Sequence, residues 1–142
     1  MESLGVITIV GVAVLAVLVL LFLRVRSKDL IDGCIKRRQQ GARICSRAFL
    51  VEGRERIPVA LAITEDTLYY ENPDMQASLE LRNIDEVEYD DETATGHAVI
   101  GKTLRLRSHG HMFEFVIDAK TARQWEELLP AHRVDQGRAQ AV

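Results

Sequence analysis

The twenty residues from Leu4 to Leu23, LGVITIVGVAVLAVLVLLFL, constrain everything that follows them. The run carries no charge, and Thr8 is its only polar side chain. At about 1.5 Å per residue, a helix of this length spans about 30 Å, the thickness of a bilayer's hydrocarbon core. It is apolar on every face, which argues against an amphipathic helix lying in the membrane surface. Its length and the absence of a polar face argue against the core helix of a small soluble domain. A cleaved signal peptide has a basic start, a shorter apolar run and a small-residue cleavage site. Here the start is Met1-Glu2-Ser3, and the run leads into Arg24-Val25-Arg26-Ser27-Lys28 instead of an Ala-x-Ala pattern. Residues 4–23 therefore read as an uncleaved transmembrane helix, and residues 1–3 as a short extracytoplasmic N-terminus.

The flanking charges set the expected orientation. Arg24, Arg26, Lys28, Lys36, Arg37 and Arg38 follow the segment, whereas only Glu2 precedes it. Lys and Arg close to a span stay on the cytoplasmic side. The N-terminus is expected outside and residues 24–142 in the cytoplasm, with a bacterial plasma membrane the expected setting for so short an architecture. The span lacks a GxxxG face, because Gly5 and Gly11 are six residues apart.

About 119 residues remain after the anchor, enough for one small domain and not for two. The overall charge of −3 conceals an asymmetry. Residues 24–56 hold ten basic and four acidic side chains, and residues 57–142 hold eight basic and sixteen acidic ones. Anionic lipid attracts the basic part at about 1 kcal/mol per Lys or Arg near the surface and repels the acidic part. Residues 24–43 read as a basic juxtamembrane linker, since Gly33 and Gln39-Gln40-Gly41 weaken any helix there. The triplet Lys36-Arg37-Arg38 lacks interleaved aromatics and precedes an acidic domain, so nucleic-acid binding is not expected. Cys34 and Cys45 match no metal-ligand spacing and are expected as reduced thiols in the cytoplasm. Cys34, close to the span, is a candidate for acylation.

From residue 44 the pattern changes to strand-like alternation. Ile44–Val51 forms an early strand, and Ile57, Val59, Leu61 and Ile63 share one face of the next. Thr67–Glu71 follows, then the turn Asn72-Pro73-Asp74. Leu79 and Leu81, then Val87 and Tyr89, then Leu104 and Leu106, and finally Phe113, Phe115 and Ile117 alternate with polar neighbours. Ser108-His109-Gly110-His111 joins the last two strands. After Asp118, a helix cap by residue type, the spacing becomes helical over 119–130. Ala122, Trp125, Leu128 and Leu129 fall on one face, and Pro130 marks the end. The expectation is an α+β domain over residues 44–132, with seven antiparallel strands closed by one helix that buries Trp125. Residues 133–142 read as a disordered tail.

Three stretches of this pattern resemble the pleckstrin-homology-like superfold and its GRAM and bacterial branches. They are Leu61-Ala62-Ile63-Thr64-Glu65-Asp66-Thr67-Leu68-Tyr69-Tyr70, Leu81-Arg82-Asn83-Ile84-Asp85-Glu86-Val87, and Trp125 in the closing helix. The resemblance covers about 90 residues and implies a strongly bent sheet or barrel plugged by the C-terminal helix. It also implies a domain that binds proteins or lipids. Basic residues in the loop between the first two strands take phosphates in lipid-binding members, and Arg54 and Arg56 resemble the end of that signature. Arg47 is a further basic residue of this region.

Chemistry-bearing patterns are few. His109 and His111 flank a glycine in a turn without further metal donors at suitable spacing. Glu86, Glu88 and Asp90 alternate on the solvent side of one strand, a pattern of a solvated or partner-docking face more than of catalytic carboxylates. No Gly-rich phosphate loop and no nucleophile–base set is present. The expected function is a membrane-anchored, non-enzymatic binding or scaffold module without cofactor or metal. Its expected partners are the lipid bilayer and an unidentified protein, the latter at Glu86, Glu88 and Asp90. The alternative is an anionic-lipid sensor using Arg54, Arg56 and the basic neck at Lys36, Arg37 and Arg38.

Overall fold

The computed structural model describes residues 2–134. Its first element, α1, runs unbroken over Glu2–Gln39. The expected span forms its first half, and α1 is long and apolar enough to cross a membrane. The linker expected over residues 24–43 is instead mostly helix. Ile31, Cys34, Ile35 and Arg38 recur at helical spacing, and burial of the first two against Ala60 offsets the cost of about 1 kcal/mol that Gly33 imposes. Lys36, Arg37 and Arg38 occupy the last turn, where cations complement the helix dipole.

Eight strands follow among the described residues: β1 (Ile44–Glu52), β2 (Glu55–Ile63), β3 (Thr67–Asn72), β4 (Met75–Glu80), β5 (Ile84–Glu92), β6 (Ala98–Ser108), β7 (His111–Ile117) and β8 (His132–Arg133). A single 3-10 turn, Leu81–Asn83, separates β4 from β5. The strands form one antiparallel sheet in the order β4-β3-β2-β1-β7-β6-β5-β8, curled into a half-barrel. Two meanders, β1–β4 and β5–β7, are thus joined where Ala48, Phe49 and Leu50 face Ile117, Val116 and Phe115.

The inner face carries the alternating apolar residues. Val59, Leu61, Ile63, Leu68, Leu104, Leu106, Phe115 and Ile117 are buried in one cluster. The outer face of β2 is also covered, because Ala60 and Ala62 are buried there. Small side chains at these two positions allow α1 to approach the sheet closely. Turn chemistry follows the residues. Asn72 Oδ1 accepts from the backbone N–H of Asp74 and of Met75, closing the β3–β4 turn. His109 (φ 49°) and Gly110 (φ 77°) both adopt positive φ between β6 and β7, the conformation of a two-residue hairpin turn.

The closing helix, α2, spans Ala119–Leu128 and is capped by Asp118, whose side chain accepts from Lys120 N–H. It ends before residue 130, and Leu129 N–H bonds to Trp125 O. Trp125 is fully buried, and its indole Nε1–H donates to Ser46 Oγ at 2.9 Å, fixing α2 over β1. Leu128 departs from the expected buried face and is 40% exposed, whereas Leu129 turns inward. The non-helical backbone at Leu129 redirects the chain and frees its carbonyl to accept from Tyr89 Oη at 2.7 Å. The chain then adds the eighth strand, in which His132 and Arg133 pair with Val87 and Glu86. Seven strands are therefore one too few, and Arg133 belongs to the sheet, not to a tail. Residues 135–142 of the expected tail lie outside the described residues.

Candidate functional site

Three groups of polar side chains are organised by this fold. The first is the seam between α1 and the sheet. Arg38 Nε donates to Glu71 Oε1 at 3.0 Å, and its guanidinium lies 4.1 Å from the centre of the Tyr69 ring. Hydrogen bonding to the Glu71 carboxylate raises the Arg38 pKa above its ordinary value, against the opposing effect of burial. Arg47 of β1 bonds to Asp32 of α1. Arg37 donates to the buried Cys34 Sγ at 3.2 Å. Cys34 is thus shut away from acylation in this packing. Burial pushes the Cys45 thiol up to about 11.

The seam also gives the sheet a direction. Cys45 Sγ lies 3.8 Å from Ile35 O, Arg47 meets Asp32, and Ala48 and Phe49 line a cleft with Lys28. Along this contact β1 runs back toward the apolar half of α1. Four strand residues, about 13 Å, accompany seven helical residues, about 10 Å. The β1–β2 turn therefore follows on the side of the apolar half of α1. Lys36, Arg37 and Arg38 lie the other way, about 20 Å along the axis beyond Leu23, more than two Debye lengths at physiological salt.

The second group surrounds that turn. Gly53 (φ 60°) lets the chain reverse between Glu52 and Glu55, leaving Arg54 at the tip and Arg56 paired with Val51 in β2. Neither arginine has a hydrogen-bond or ion-pair partner among the described residues. The β5–β6 loop folds against the same place, so that Arg54, Arg56, Thr93, Thr95 and His97 line one cleft of about 300 Å³. The loop is internally braced. Thr93 N–H bonds to His97 O at 2.8 Å, Thr95 Oγ1 lies 2.8 Å from His97 Nδ1, and Ala94 N–H donates to Glu114 Oε2 at 2.8 Å. Two free guanidinium groups, a hydroxyl and an imidazole can together bind a phosphate-like anion. Glu52 and Glu55, beside the turn, weaken that preference. Thr93, Thr95 and His97 lie outside the sequence expectation, because their approach to Arg54 is created only by the curl of the sheet. The polar run from Asp91 to Gly96 was the only sequence signal for the two threonines, and His97 directly follows it.

The third group is the acidic strand. Glu86, Glu88 and Asp90 do share one face of β5, and each faces a cation from β6. Arg105 contacts Glu88 at 3.0 Å, Asp90 at 3.8 Å and Glu114 at 3.1 Å, and Arg107 contacts Glu86 at 3.7 Å. The cross-strand register, Glu86 opposite Arg107 and Glu88 opposite Arg105, produces this ladder. Four carboxylates against two guanidinium groups leave the face acidic but internally tied. Among the described residues, no group of three or more His, Cys, Asp or Glu side chains is arranged to hold a metal ion. His109 and His111 sit at the β6–β7 turn. Comparison of the chain with protein-family models, curated proteins and solved structures returns no significant match.

Proposed function

We propose that this protein is a non-enzymatic binding module of pleckstrin-homology-like type, anchored by one transmembrane helix and presented to the cytoplasm. The strand order and the Trp-bearing closing helix are compatible with that fold. The observation that carries the function is the continuity of α1 from the apolar run onto the sheet. That continuity supports a half-barrel held against its anchor, with the acidic β5–β6 face, internally tied to Arg105 and Arg107, offered to a protein partner. The two most buried carboxylates, Glu71 and Glu114, are committed to Arg38 and Arg105, which supports a scaffold more than an acid–base catalyst. Photo-crosslinkers placed at Glu86 and at Gln76 in intact membranes test this. One discrete adduct from Glu86 but not from Gln76 is the expected result. No adduct at either position refutes a docking role for the acidic face.

A second function is favoured by the free Arg54 and Arg56 at the membrane-directed turn, namely contact with anionic lipid. The neck triplet, 20 Å from the apolar run along α1, contributes less to it than the sequence suggests. Flotation of residues 28–134, which keep the docked part of α1, tests this over neutral and anionic vesicles at two salt concentrations. Salt-sensitive binding that disappears in Arg54→Glu/Arg56→Glu supports it, and equal flotation of both forms refutes it.

A further inference from the structure

Strand register decides which charges face the cleft between the β1–β2 turn and the β5–β6 loop. Val51 pairs with Arg56 and Glu52 with Glu55, and successive strand residues point to opposite faces. Glu52 and Glu55 therefore share a face with Leu50 and Ile57, on the core side of the sheet. Val51 and Arg56 share the outer face, and the cleft lies there with no carboxylate among its described lining residues. Phe113 and Phe115 face the core, so Glu114 between them also points outward. Its Oε2 accepts from Ala94 N–H at 2.8 Å and from Arg105 Nε at 3.1 Å. That carboxylate holds the β5–β6 loop down beside Arg54 and Arg56, while its own charge is taken up by Arg105.

The loop presents an oriented imidazole. Thr93 Oγ1 accepts from His97 N–H at 3.2 Å and lies 3.0 Å from Thr95 Oγ1, which lies 2.8 Å from His97 Nδ1. The relay closes when Thr93 donates to Thr95 and Thr95 donates to Nδ1. Nδ1 is then the acceptor, and the ring proton of neutral His97 sits on Nε2, a donor left for a ligand. We infer that this cleft binds a phosphate monoester, with Arg54, Arg56 and His97 Nε2–H on its terminal oxygens and Thr95 as the positioning residue that sets the His97 tautomer. A monoester carries close to two charges and three terminal oxygens, which two guanidinium groups and one further donor match. A phosphodiester has one charge and two such oxygens, and leaves a donor unused. This rests on the reading of Arg54 and Arg56 as free anion contacts, and adds the chemical group they select. The turn lies toward the apolar half of α1, so either a lipid headgroup or a soluble molecule can supply the phosphate.

The test titrates the full chain, in micelles of an uncharged detergent, with dioctanoyl phosphatidic acid, dioctanoyl phosphatidylglycerol and glycerol phosphate. Calorimetry reads the affinity, and imidazole nitrogen NMR shifts read the His97 tautomer. Phosphatidic acid should bind about tenfold more tightly than phosphatidylglycerol, the effect of one charge-assisted hydrogen bond. Thr95→Val should move the His97 shifts away from the Nε2–H tautomer. Like His97→Ala, it should remove the preference and leave phosphatidylglycerol binding in place. Emission of the buried Trp125 reports an intact fold in each variant. Glycerol phosphate bound as tightly as phosphatidic acid supports the site with a soluble ligand, and binding of phosphatidic acid without glycerol phosphate supports it with a headgroup. Equal affinity for the two lipids, abolished by Arg54→Glu/Arg56→Glu, overturns the monoester site and leaves the anionic-lipid contact standing. A preference that survives His97→Ala also overturns the site. Binding of none of the three, or lipid binding that Arg54→Glu/Arg56→Glu leaves unchanged, removes both.

Discussion

Replacing Arg38 with Met tests whether α1 is truly seated on the sheet. Methionine keeps the apolar stem and removes the charge, leaving Glu71 with 8% of its side chain exposed and no cation beside it. Exposed ion pairs contribute about 0–1 kcal/mol, and breaking a fully buried pair costs about 3–5 kcal/mol. Arg38 is 24% exposed, so the pair falls between these limits, and a loss of about 2 kcal/mol is expected. The cation–π contact with Tyr69 is part of that loss. Urea unfolding of the full chain in detergent micelles, followed through the single tryptophan, Trp125, reads the half-barrel directly. With a urea slope of about 2 kcal/mol/M, the midpoint should fall by about 1 M. Glu71→Gln should cost less, because it leaves no buried charge, and the double variant should cost less than the two singles together. Single losses below about 0.5 kcal/mol that simply add would refute the docking, and residues 24–43 would then behave as a linker.

Other consequences follow from single contacts. Gly101 has φ 115°, and an added Cβ would lie 2.2 Å from Ile117 O, so Gly101→Ala should cost about 3 kcal/mol or more. A thermal transition unchanged from wild type would contradict this. Ser46→Ala strands the buried indole N–H of Trp125 and should lower stability by about 1–3 kcal/mol, read by urea midpoint. Thr103→Val should raise stability by about 1 kcal/mol, because Thr103 Oγ1 is buried without a hydrogen-bond partner; a loss would show that the hydroxyl is used. Burial raises the Cys45 thiol from its ordinary 9.0 to about 11, so alkylation of the native chain should follow a titration near 11. The folded form holds that proton more tightly than the unfolded one. The associated stability is full below pH 9.0 and is lost as pH rises toward 11. An alkylation midpoint near 9.0 would contradict the burial of this thiol.

Much of this molecule is legible in local pattern. The apolar run of residues 4–23 appears as helix, the alternation of Val59-Leu61-Ile63 and Leu104-Leu106 appears as inward-facing strand residues, and Asp118 caps the helix that buries Trp125. These features depend on backbone periodicity and on residues within a few positions of one another, which a linear text preserves. What the tertiary structure decided is of another kind. Gly33 reads as a helix weakener, yet helix passes through it, because Ile31 and Cys34 find Ala60 some thirty residues later. The acidic strand reads as a free surface, yet Arg105 and Arg107 face it across the register. Arg54 meets Thr95 and His97 only because the sheet curls. Leu128 leaves the buried face expected of it while Leu129 keeps its place there, at a helix end where tertiary bonds such as Tyr89 to Leu129 decide the backbone. In each case the free energy comes from a partner distant in the chain, and the sequence near the residue carries no sign of where that partner will lie.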